Sequence, residues 1–150
     1  MAFIGRIFVI LFAVILSSMT AGIAIAIGLL GPAWHSLSGD IGERFIFWGT
    51  SFVGAAATGF AGMLPLLILI VIAEAFKIRS LLVHAVAGAA LMLLALYGSG
   101  VPGPYEESID RAPPPISRDA EIAAAAGIVF GLTYWLIAGR NAGRWREPRV

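Results

Sequence analysis

The polar and apolar positions fall into long blocks, with neither the one-sided periodicity of a soluble helix nor the alternation of a strand. Residues 7–30, 45–73, 81–97 and 120–138 are nearly unbroken runs of Ile, Leu, Val, Phe, Ala, Met and Gly. A helix that is apolar on every side has no face for water, so it is stable only when lipid or protein surrounds it. At ~1.5 Å rise per residue the four blocks reach about 36, 44, 26 and 29 Å. The hydrocarbon core of a bilayer is about 30 Å thick, so each block suits one crossing and none suits two. The pattern predicts an all-α membrane protein, with four transmembrane helices in an antiparallel bundle forming one domain over residues 1–150.

The second block is too long for an upright crossing and must tilt or bend. Pro65 lies inside it, after Gly62. Proline removes one backbone donor and its ring crowds the preceding turn, so a kink is expected near Ala61–Pro65. The first block follows a single basic residue, Arg6, in the manner of a signal peptide. Its run from 7 to 30 exceeds the ~7–15 residues of a signal's apolar region, so it is read as an uncleaved first helix.

Composition strengthens this picture. Hydrophobic residues make up 59% of the chain and charged residues 13%, against roughly 45–50% and about 25% in ordinary globular proteins. A net charge of +1 with scattered arginines gives no continuous basic face, so no nucleic-acid partner is expected. The absence of cysteine rules out disulfides, thiolate nucleophiles and cysteine-ligated metal centres.

Charge also sets an orientation. Arg6, Lys77, Arg79, Arg140, Arg144, Arg146 and Arg149 fall on one side of the four-span arrangement, and Arg44, Arg111 and Arg118 on the other. Basic residues collect on the cytoplasmic side, so both termini are expected in the cytoplasm. The pattern suits a multi-pass protein of a bacterial inner membrane. Trp34, Trp48, Tyr97 and Trp135 lie near block ends, where amphipathic rings favour the headgroups. The outer loop 98–119 holds five prolines, including Pro113, Pro114 and Pro115, and is expected to be extended and irregular. The basic tail 139–150 carries Arg140, Arg144, Trp145 and Arg146, a set expected to anchor on anionic headgroups. Asp40 and Glu43 have the spacing of a capping box opening the second helix.

Small residues recur every four positions: Ser18 and Gly22 in the first block, Ala55 and Gly59 in the second, Ala85 and Ala89 in the third, Gly127 and Gly131 in the fourth. That spacing lets helix backbones approach closely, either within one bundle or across a dimer through the Gly127–Gly131 face. The spans carry Ser and Thr hydroxyls and one histidine, His84, but, with Glu121 at the outer start of the fourth, no fixed charge near the midplane. Ion-coupled transporters keep such a charge near the midplane, so that class is disfavoured.

His84 is the candidate for a cofactor, as a ligand to haem or a pigment; the competing reading is a hydrogen-bonded interfacial histidine. His35 is the only other histidine and belongs to the opposite side, which argues against bis-histidine haem. No metal site is expected. Catalytic motifs of the HExxH, GxSxG and P-loop kinds are missing, so no catalytic residue is assigned. The resulting expectation is a non-enzymatic accessory, assembly or scaffold component that packs with itself or with a larger membrane complex. The alternative is a small oligomeric channel or transporter for an uncharged or small solute.

Overall fold

The structure, a computed structural model, describes residues 2–30, 40–98 and 116–144. Among these it is all-helical, with five α-helices: α1 (Ala2–Leu30), α2 (Ile41–Ala61), α3 (Met63–Ala75), α4 (Leu81–Gly98) and α5 (Arg118–Ile137), then a 3-10 turn over Gly139–Asn141. Three of them, α1, α4 and α5, are each long and apolar enough to cross a membrane. The pair α2 and α3 makes a fourth if its two parts are one span. Trp34, His35, the proline run, Trp145 and Arg146 lie outside the described residues.

The second block bends within the expected interval 61–65, but as two helices and not as one kinked helix: α2 and α3 meet at Gly62 with an angle of 63°. Gly62 keeps some bonding through the joint, donating to Thr58 O at 3.3 Å and accepting from Leu66 N at 2.8 Å. Pro65 has no N–H to offer the carbonyl four residues back, and its ring clashes there. The break therefore falls on the N-terminal side of the proline, where glycine resists bending least. Pro65 itself becomes the third residue of α3, a position whose donor has no intrahelical partner in any helix.

Helix ends follow local chemistry. Ser117 caps α5 by accepting from Ala120 N at 3.3 Å, with Asp119 and Glu121 in the first turn as the dipole favours. Asp40 opens α2 differently from a capping box: its Oδ1 accepts from the adjacent Ile41 N at 2.7 Å. Past α3, Lys77 takes a left-handed φ of 54° and Ile78 N donates back to Ala73 O at 2.9 Å. That bond closes the helix as a Schellman turn and reverses the chain into α4.

The helices pack in the order α2, α1, α5, α4, neighbours running antiparallel. Two seams are made by near contact of backbones. In the first, a Cβ on Gly22 would lie 2.7 Å from Ala55 N, and one on Gly54 would lie 3.3 Å from the Cα of Gly22. In the second, Gly88 meets Gly127, and Gly131 meets the carbonyl of His84, closer than any side chain would permit. Between the seams Thr20 Oγ1 bonds Thr133 Oγ1 at 3.1 Å, joining α1 to α5. The α2–α3 joint closes the row, a Cβ on Gly62 lying 3.6 Å from Leu91 of α4. The core is built from Ala13, Ala21, Leu66, Ile70, Leu91, Met92, Ala126 and Phe130.

Candidate functional site

The chemistry gathers at the end of the molecule where α1 and α4 begin and α3 and α5 finish. Arg6 and Glu74, placed by sequence on separate helix flanks, form an ion pair there with side chains only 10% and 12% exposed. Arg6 Nε donates to Glu74 Oε1 at 2.9 Å and Nη2 donates to the same oxygen. Nη2 also donates to Ala138 O at 2.7 Å, at the last turn of α5. The second carboxylate oxygen accepts from Gly143 N at 2.9 Å. Both Glu74 oxygens are thus partnered, as a buried carboxylate requires.

This clamp straps the segment after α5 across the α3–α4 turn. Arg79 Nε donates to Ala142 O at 3.0 Å, and Trp135 Nε1 donates to Arg79 O at 2.8 Å. Gly143 turns at φ 73°, its Cα side pressed against Lys77. A larger residue at 143 would meet both a strained φ and that side chain. Arg144 stays at the surface, bonding Asn141 Oδ1 at 3.0 Å, and Arg140 is exposed beside it.

His84 sits one turn into α4 and is 8% exposed. Its Nδ1 lies 2.8 Å from Ser80 O. A carbonyl only accepts, so Nδ1 is the donor and the neutral ring keeps its lone pair on Nε2. That atom is buried and has no hydrogen-bond partner among the described residues. It faces Gly139, where an added Cβ would lie 2.8 Å away. Tyr134 stacks on the ring with centroids 5.9 Å apart. The edge a haem or metal would need is therefore covered by the backbone of the 3-10 turn. Among the described residues no group of three His, Cys, Asp or Glu side chains converges as a metal site.

Beside His84, a partly open cleft of about 80 Å³ runs between α3, α4 and α5. Its walls are almost wholly apolar, including Leu66, Ile70, Ala87, Leu91 and Phe130, and Ile78 of the α3–α4 turn also lines it.

The packing residues named from sequence come together inside the chain. Ser18 and Gly22 face Gly59 and Ala55, while Gly127 and Gly131 lie on Gly88 and His84, flanked by Ala89 and Ala85. The Gly127–Gly131 face is occupied by α4 of the same chain. Hydroxyls of Ser51, Thr58 and Thr133 are spent on carbonyls one turn back. Sequence reasoning missed the Arg6–Glu74 pair, the strap through Gly143 and the role of Gly139. The only signal was that an Arg and a Glu flank the spans predicted to end on one side.

Comparison with known proteins adds no identity: no family model, no curated protein and no solved structure matches this chain.

Proposed function

We propose that this chain is a non-catalytic, four-span subunit of a bacterial inner membrane, with both termini cytoplasmic. In this reading it is an accessory, assembly or scaffold component that packs with its own copies or with a larger membrane complex. The observation that carries it is the division between interior and exterior. The chain uses its glycines, hydroxyls and buried ion pair to hold itself together. It presents large apolar side chains outward from every long helix: Phe8 and Phe12, Phe45 and Phe52, Leu82 and Leu94, Ile128 and Leu136. Such an exterior belongs in lipid or against other spans. The gathering of Lys77, Arg79, Arg140 and Arg144 at the Arg6 end supports the orientation.

Photo-crosslinkers placed at Phe52, Val71 and Leu82 in native membranes test the role. A reproducible protein adduct at one face is expected, whereas lipid adducts alone at all three positions contradict it. The break at Gly62 above an apolar cleft favours a second reading, passage of a small uncharged solute, since broken helices recur at transport sites. Flux through proteoliposomes that Thr58→Val abolishes would move the assignment there.

A further inference from the structure

The cleft between α3, α4 and α5 has an apolar interior, basic residues flank the turn that helps to line it, and the two together describe an occupant. Leu66, Ile70, Ala87, Leu91 and Phe130 offer contacts that hydrocarbon satisfies and water does not. Ile78, between Lys77 and Arg79 in sequence, is one of the residues that line the cleft. The strap brings the segment 140–144 to the same turn, through Arg79 to Ala142 and through the close approach of Gly143 to Lys77. Lys77, Arg79, Arg140 and Arg144 are all exposed there. The acidic side chain in contact with that strap, Glu74, is neutralised by Arg6, and its second oxygen accepts from the Gly143 amide. We infer that the cleft is a lipid site, seating a segment of an acyl chain of an anionic phospholipid whose phosphate rests among these four basic side chains. The inference rests on the membrane-embedded reading and not on the scaffold role. A protein that crosslinks to no partner can still bind this lipid.

Native mass spectrometry of the detergent-purified full chain tests the site, with phosphatidylglycerol and phosphatidylcholine of identical chains as probes. The wild type should retain one phosphatidylglycerol at least about fivefold more strongly than phosphatidylcholine. Ala87→Phe, which fills the cleft, should lose both lipids. The double variant Arg140→Gln with Arg144→Gln should keep phosphatidylcholine and bring the preference to within about twofold. Excess glycerol phosphate should displace neither. Equal retention of the two lipids by the wild type, unchanged binding in Ala87→Phe, or displacement by glycerol phosphate would overturn the inference. If Ala87→Phe does not fold, fluorescence replaces it, in a chain keeping Trp135 as its one tryptophan. Brominated-chain phosphatidylglycerol should then quench Trp135 more than brominated phosphatidylcholine, and equal quenching would count against the site.

Discussion

Gly139 shows how little room the clamp end leaves a single residue. Its missing side chain is what lets the buried edge of His84 lie against the 3-10 turn. Gly139→Ala should therefore cost ~1–3 kcal/mol, the usual range for overpacking. With His84 also truncated to Ala, the same change should cost less than about 0.5 kcal/mol, because the clash has no partner. Reversible unfolding of the four proteins in mixed micelles measures this coupling, and strictly additive costs would contradict the contact. Gly131→Val should be worse tolerated than Gly139→Ala, since its Cβ would press on the backbone of α4, which cannot swing aside as a side chain can. Gly49→Ala is the control: nothing lies within 4 Å of its Cβ position, and an exposed helical Gly→Ala is neutral or slightly stabilising.

At the scale of elements, the ion pair and the α2–α3 joint decide the arrangement. Glu74→Gln removes the counter-charge and leaves the Arg6 charge buried with only neutral acceptors, and the loss of one partner from such a pair costs ~3–5 kcal/mol. Adding Arg6→Gln should recover part of that loss, and the same micelle unfolding reports it. A Glu74→Gln cost below about 1 kcal/mol would mean the pair is screened like a surface one. For the joint, Pro65→Ala restores a donor but leaves Gly62 and its contact with Leu91 in place. Spin–spin distances between labels on α2 and α3 should therefore stay within about 2 Å of the wild type, at the scale of ordinary chain fluctuation.

The helices themselves were legible because apolar block length is a one-dimensional signal. Residues 81–97 and 120–138 match α4 and α5 to within two residues at each end. The break was legible only as a neighbourhood: a proline marks where a helix is weak, while the glycine ahead of it takes the bend. Four-residue spacing named Gly22, Ala55, Gly127 and Gly131 as packing positions but not their partners. Pairing depends on which helices become neighbours. Arg6 and Glu74 are 68 residues apart, and no local pattern reports that they meet.

On the scale of the whole molecule, the central claim is that α2 and α3 together make one crossing, giving four spans with both termini on the cytoplasmic side. A re-entrant hairpin would use the same two helices and the same bend, but would return the α3–α4 turn to the side from which α2 entered. Because the chain contains no cysteine, single cysteines can be introduced without background. Asp40→Cys, Lys77→Cys, Ile116→Cys and Arg144→Cys mark the ends of α2, α3, α5 and the strap, and a membrane-impermeant maleimide applied to intact cells reads their sides. The account predicts labelling at 40 and 116 in intact cells, and at 77 and 144 only after the membrane is opened. Labelling of 77 together with 40 in intact cells would contradict it.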